Sequence, residues 1–381
     1  MLYSNKSHEI GVASSIQQNE LVYTKLRGGG DPIILSYGEA PFKITPFSHH
    51  EKDWDRGCHY SEGLGVPEFR QELANHILEV TGVEVSWEKN ILISAGSKII
   101  SYFIAQSLLN PGDSIMLHEP SWVSYQEHAK LNQANTAFLD YTKSVYDFEG
   151  LYKLNPNTKL IYLNNPNNPR GYVYKQKELR WLANFCFENN ICLALDESYS
   201  DFVVDEEFCS GIALFEDFPN VIVFNSISKN FGLSGWRIGY CVGSEEFIST
   251  LNKFNQHLIT CAPTCLQLAL VGKLSQLRKE IRPQLISLNE KRSDVIKLLK
   301  NFGFKHLSGP STFYIFIDIS DWVLDTKKFV LEFLEDHNVS LIPGGAYGKS
   351  TSGFIRLSFA IEPLDRIEMA LSRLYSKLNN L

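Results

Sequence analysis

What the 381-residue chain lacks narrows its class before any motif is considered. No apolar run reaches the length of a membrane helix, and the opening stretch MLYSNKSHEIGVASSIQQNE has no apolar signal-peptide core. A cytosolic protein is the expectation. Positive charge is not in excess either: 36 Lys+Arg stand against 43 Asp+Glu, and the net charge of −7 argues against a nucleic-acid footprint. Cysteine is sparse, and its seven positions (58, 186, 192, 209, 241, 261 and 265) are odd in number and scattered. Several have apolar neighbours on both sides, which fits buried free thiols in a reducing compartment better than disulfides. Cys261 and Cys265 lie four apart, but no second pair or histidine cluster completes a site, so no metal is expected. Internal repeats and low-complexity tracts are missing. What remains is an ordinary globular composition, 44% apolar and 21% charged, in a chain long enough for two domains.

Residues 1 to about 30 read as a polar arm ending in a flexible turn at Gly28-Gly29-Gly30, and Pro67 opens an amphipathic helix through about Val80. From about residue 90 the pattern becomes regular. Apolar runs at 91–94, 114–118, 160–163, 191–195 and 221–224 alternate with helical stretches such as 98–109 and 177–188. Such alternation predicts an α/β architecture with a largely parallel sheet and helices on its faces. Ligands of such sheets sit beyond the carboxyl ends of the strands. The residues just past each run are Gly96-Ser97-Lys98, Glu119 to Trp122, Asn164 to Pro169, Asp196 to Tyr199 and Ser226 to Lys229. Polar or aromatic groups therefore gather at every strand end, and Gly96-Ser97 opens a helix whose free N–H groups suit a phosphate. Towards the C-terminus, 274–301 reads as one or two long amphipathic helices bridging to a smaller α+β unit with strands near 312–319 and 353–359 and a helix over 326–337.

The most informative stretch is Val221 to Val242, VIVFNSISKNFGLSGWRIGYCV. Between two strand-like runs it sets Lys229 among Ser226, Ser228 and Arg237. Hydroxyls, an amine and a guanidinium at a buried strand end are costly to desolvate unless an anion meets them. A phosphate-bearing ligand answers that requirement. A lysine beside another cation also has a lowered pKa, and its free amine can attack a carbonyl carbon. These residues alone thus predict an imine-forming lysine beside a phosphate cup.

Ser-x-Ser-Lys followed by Gly-Leu-Ser-Gly-Trp-Arg-Ile-Gly-Tyr resembles the pyridoxal-phosphate lysine motif of the class I and II aminotransferases, of fold type I. The resemblance spans roughly residues 30–375. It implies a large cofactor-binding domain (46–275) with a mostly parallel sheet, a small α+β domain (276–381) and an N-terminal arm (1–45) associated with it. It further implies that Lys229 carries pyridoxal 5′-phosphate as an internal aldimine, with Gly96, Ser97, Lys98, Ser226 and Arg237 around the phosphate. Asp196 fits the buried carboxylate that keeps the ring nitrogen protonated. Tyr199 and Asn168 match the donors to the ring oxygen that tune the imine pKa, and Trp122 matches the aromatic on the ring face. Arg356, in Gly353 to Phe359, matches the clamp on the substrate α-carboxylate, with the backbone at Gly38 and the side chain of Asn168 also near the substrate. Tyr60 matches a residue that reaches the phosphate of a neighbouring subunit, which makes a homodimer the expected state. Arg170 departs from the family's usual Asn-Pro-Thr-Gly loop.

The expected reaction moves an amino group from an L-amino acid to a 2-oxo acid. The same scaffold also hosts carbon-sulfur β-lyases, and a catalytically silent ligand-binding regulatory domain is the alternative of another class. Substrate identity is not readable. Selectivity is expected from loops around Tyr37, 256–263 and 344–352, where His257 and Lys349 could meet an acidic group but are expected to face solvent.

Overall fold

The computed structural model describes residues 2–48, 50–204 and 208–380. A short strand β1 (Ile33–Ile34) precedes a seven-stranded sheet made of β2 (Ile91–Ser94), β3 (Ser114–His118), β4 (Asn135–Leu139), β5 (Thr158–Asn164), β6 (Cys192–Asp196), β7 (Val221–Ser226) and β8 (Gly239–Val242). Its order is β2-β8-β7-β6-β5-β3-β4. Every pair is parallel except the two made by β8, which runs antiparallel to β2 and β7. The sheet is buried on both faces, which explains runs that read as continuously apolar rather than alternating. Leu92, Leu117, Tyr162 and Phe224 face one layer, packing against Ile100, Phe103 and Ile104 of the helix Ser97–Leu108. Ile93, Met116, Ile161 and Val223 face the other, with Leu73 and Ile77 of the helix Pro67–Thr81 and Leu179 and Leu182 of Gln176–Glu188.

The C-terminal unit adds β9 (His306–Leu307), β10 (Tyr314–Asp318), β11 (Val339–Ser340), β12 (Ile342–Pro343) and β13 (Phe354–Ser358). Four of these form an antiparallel sheet in the order β12-β13-β10-β9, while β11 pairs in parallel with β1. The helix Thr326–His337 starts where the Asp325 carboxylate accepts the Lys328 N–H at 3.0 Å.

Three local readings change. The arm is helical over Ser14–Arg27, with Val22 and Gln18 buried, and the three glycines end that helix: the Gly28 and Gly30 N–H groups bond the Thr24 and Lys25 carbonyls. Strand β4 went unread because its burial is partial, as befits the edge of a sheet. The stretch 274–301 is one helix with Pro283 inside it.

Candidate active site

The carboxyl ends of β5, β6 and β7 open into a cavity of ≈ 340 Å³. Asp196, the last residue of β6, is buried at its base. One carboxylate oxygen accepts the Tyr125 hydroxyl at 2.6 Å; the other accepts the Ser198 N–H at 3.0 Å and hydroxyl at 2.6 Å. Burial pushes its pKa above the usual carboxylate range, against these donors and the Lys229 ammonium, which pull it down. A cation brought against this carboxylate would relieve that cost. On the loop after β5, Asn168 is fixed by its N–H to the Asn164 side-chain oxygen at 2.7 Å. Its amide N–H₂ donates to the Tyr199 hydroxyl at 3.3 Å, and its own buried Oδ1 has no partner.

Strand β7 ends at Ser226, whose hydroxyl accepts the Ser228 N–H at 3.0 Å and so caps the single turn Ile227–Asn230 that carries Lys229. The Lys229 ammonium has neither a hydrogen bond nor an ion pair among the described residues. Burial draws its pKa down to about 8, opposed by Glu39 and assisted by Arg237, Arg356 and Lys98. An amine in this state is a nucleophile near neutral pH.

The cationic end is built by close backbone approach. Gly96 has φ +93°, and a Cβ there would lie 2.5 Å from Arg237 Nη2, so the arginine rests on the start of the Ser97–Leu108 helix. A Cβ on Gly239 would lie 2.3 Å from the Ser97 nitrogen, so β8 presses on the same turn. Arg237 is held by donation to the Ser234 carbonyl at 2.8 Å. Trp122 flanks the cavity, with the Lys98 ammonium 5.3 Å from its ring. From the other sheet comes Arg356, buried on β13 with Nη2 donating to the Ser36 carbonyl at 2.5 Å and Nε without a hydrogen-bond partner among the described residues. Its guanidinium lies 4.3 Å over the Tyr314 ring.

Every residue assigned from the sequence to cofactor or substrate, except Gly96 and Tyr60, lines this one cavity, and Gly96 stands directly behind Arg237. Tyr60 is 85% exposed and borders a separate hollow with Cys58, His59 and Cys261. His257 and Lys349 are exposed, as read. Arg170 reaches the Tyr141 carbonyl at 3.2 Å and leaves Asn168 in place. Four contributions were not read: Tyr125 beneath Asp196, Tyr314 beside Tyr199, Glu39, and Ser15, Ile16 and Asn19 of the N-terminal helix. Glu39 follows Gly38 directly, and that adjacency was the available signal.

The sequence pattern of the family described as Aminotransferase class I and II matches residues 54–374. The chain belongs to that family. It is 31% identical over 358 residues to the aspartate aminotransferase of Pyrococcus horikoshii, covering 90% of this chain and 91% of that one. The crystal structure of the Thermotoga maritima aspartate aminotransferase superposes with a TM-score of 0.84 at 28% identity, covering 99% of this chain and 100% of that chain. A Methanococcus jannaschii protein, described as similar in its active site to kynurenine aminotransferases, gives a TM-score of 0.86 at 26% identity, with 99% and 100% covered. The protein is therefore a pyridoxal-phosphate-dependent aminotransferase of fold type I, with the mostly parallel sheet and separate α+β unit expected of it.

The cavity suits that cofactor. A lysine amine without a hydrogen bond or ion pair among the described residues, a buried carboxylate supplied with three donors, an amide N–H₂ that spends one hydrogen on Tyr199 and has a second to give, and a helix N-terminus crossed by a guanidinium are complementary to an aldehyde, a protonated ring nitrogen, a ring oxygen and a phosphate.

Proposed function

We propose that this cavity is where an L-α-amino acid and a 2-oxo acid exchange an amino group, with Lys229 as the residue that binds pyridoxal phosphate covalently. Bound cofactor supplies an electron sink for the breaking Cα–H bond. The side chains do the rest. Arg356 takes the substrate α-carboxylate on its free Nε edge, and this fixes the Cα–H bond relative to Lys229. Lys229 Nζ would accept the Cα proton and give it back, and the depression of its pKa to about 8 equips it for both directions near neutrality. Asp196 would hold the proton on the ring nitrogen, and Tyr199 and Asn168 would donate to the ring oxygen. Gly96, Ser97, Lys98, Ser226 and Arg237 would bind the phosphate, and Trp122 would flank the ring.

The observation that carries this reading is the Lys229 amine: among the described residues it lines the cavity with no hydrogen bond or ion pair, near a buried carboxylate that makes no ion pair either. Lys229→Ala is expected to abolish turnover and the borohydride-trapped adduct while retaining cofactor binding by the cup. Near-normal turnover by that variant overturns it.

The active unit in this proposal is a homodimer, with Tyr60 reaching the phosphate of the second copy. Support comes from the exposure of Tyr60 and from an apolar hollow of ≈ 330 Å³, lined by Phe47, Trp54, Trp236 and Leu266, that shares Gly57 and Cys58 with the hollow Tyr60 borders. The proposal keeps the division into 1–45, 46–275 and 276–381, supported by the pairing of β1 with β11. The seven free cysteines fit the reducing cytoplasm. No described helix is long and apolar enough to cross a membrane.

A further inference from the structure

Tyr199 has one hydroxyl hydrogen and two close oxygen or nitrogen neighbours, and the direction of one hydrogen bond decides what it can offer a ligand. The Asn168 amide donates to its oxygen at 3.3 Å, and the Tyr314 hydroxyl lies 3.0 Å away. If Tyr199 donated to Tyr314, no hydrogen would be left for the cavity. If Tyr314 donates, the phenolic oxygen of Tyr199 accepts twice and its own hydrogen points to whatever occupies the site.

Two features favour the second arrangement. The Arg356 guanidinium lies 4.3 Å over the Tyr314 ring and withdraws charge from that phenol, which makes it the better donor. Tyr314 is also buried, with no other hydrogen-bond acceptor for its hydroxyl among the described residues, and Gly38 packs close to it, since a Cβ there would stand 3.1 Å from the hydroxyl oxygen. Tyr314 comes from β10 and Tyr199 from the loop after β6, so the bond joins the two sheets.

We propose that Tyr314 is a positioning residue of this aminotransferase: its hydroxyl donates to Tyr199 and thereby turns the Tyr199 hydrogen toward the ring oxygen of the cofactor, while its ring forms the seat of Arg356. The inference rests on the functional reading above, in which Tyr199 donates to that oxygen. It assigns the two ends of the substrate site to one side chain. The hydroxyl acts on the cofactor's electronics and the ring on carboxylate binding.

The test is Tyr314→Phe, which removes the hydroxyl and keeps the ring. A donor at the ring oxygen stabilises its anion and so disfavours the proton shared with the neighbouring lysine nitrogen. Weakening that donor must move the pH midpoint of the cofactor's visible absorption band upward. The charged groups around the lysine are Glu39, Lys98, Asp196, Arg237 and Arg356, and all are unchanged in the variant, so the difference isolates the hydroxyl. The expected rise is up to about one pH unit, the size of one net hydrogen bond. Turnover should fall about tenfold at neutral pH with KM for the amino acid within about twofold, because the Arg356 seat survives. Tyr314→Leu, which removes the ring as well, should raise KM in addition.

A midpoint in Tyr314→Phe equal to that of wild type overturns the inference, as does a loss confined to KM. Failure of the wild-type protein itself to form a lysine-bound, pH-sensitive band overturns the functional reading instead.

Discussion

A lysine amine kept from water with no anion in hydrogen-bond contact is a cost to the folded chain, and Lys229 should reveal that cost when the cofactor is removed. Its folded pKa of about 8 lies below the ordinary 10.5. Between those values the unfolded chain holds a proton that the folded one has lost, so stability rises with pH across that window; below pH 8 the penalty is present in full. The apoprotein of Lys229→Met should therefore melt above wild-type apoprotein at pH 7, with the gap closing by about pH 10.5; paired calorimetric scans check this, and a gap independent of pH contradicts it. Asp196 offers a complementary case. Tyr125→Phe removes one of its three donors but keeps the ring, which stacks on Tyr162 at 4.5 Å. A hydrogen bond to a charged acceptor contributes about 1.5–3 kcal/mol, and this one is made without the cofactor, so the apoprotein should melt several degrees lower and cofactor affinity should fall as well. Equilibrium titration of apoprotein with pyridoxal phosphate decides it. Asp196 was legible in the sequence because it stands at a strand end. Tyr125 was not, because 71 residues separate it from Asp196 and only the folded layer order brings its hydroxyl beneath the carboxylate.

At the scale of elements, the phosphate end depends on two segments approaching more closely than side chains permit. Gly239 on β8 and the Gly96-Ser97 turn after β2 meet backbone to backbone, and neither has a flexible group that could yield. Gly239→Ala should destabilise the fold by about 1–3 kcal/mol, the usual range for overpacking, and should weaken cofactor binding because the helix start must move. Gly243→Ala, just past the same strand, meets only the Ile222 side chain, at 3.4 Å or more, and should do neither. Chemical denaturation of the pair checks the contrast; equal behaviour would place the constraint elsewhere. The glycines of the lysine segment were visible as a motif, but their purpose was not, since β8 turns back antiparallel against β2 across almost 150 residues. The central strands were legible through continuous burial, whereas β4, wet along one side, and the helix Ser14–Arg27, whose buried residues include a glutamine, carry too weak a periodic signal.

Over the whole molecule, the cavity belongs to neither sheet alone, and the contacts that join them set its shape. Glu119, at the end of β3, accepts the N–H groups of Lys349 at 2.6 Å and Ser350 at 3.1 Å as well as the Ser350 hydroxyl, while Ser121 N–H bonds the Tyr347 carbonyl at 2.8 Å. Glu119→Ala would leave those N–H groups unpaired and free the segment that packs on Arg356. KM for the amino acid should rise several-fold while the pH midpoint of the cofactor band stays put, the converse of Tyr314→Phe. The proposed dimer adds one further contribution, and it can be tested without locating the interface. Tyr60 is absent from the wall of its own chain's cavity, so if it serves the second copy, its loss and the loss of Lys229 act at different sites. In a hybrid of Tyr60→Ala with Lys229→Ala, one site then carries both defects and the other carries none. Random re-association of two nearly inactive variants makes half the dimers hybrids, each with one native site, so mixing should restore about a quarter of wild-type activity. If Tyr60 instead acted within its own chain, every hybrid site would hold one defect and mixing would restore nothing. Activity measured before and after subunit exchange distinguishes the two, and the absence of recovery despite demonstrated exchange would remove Tyr60 from the neighbouring site.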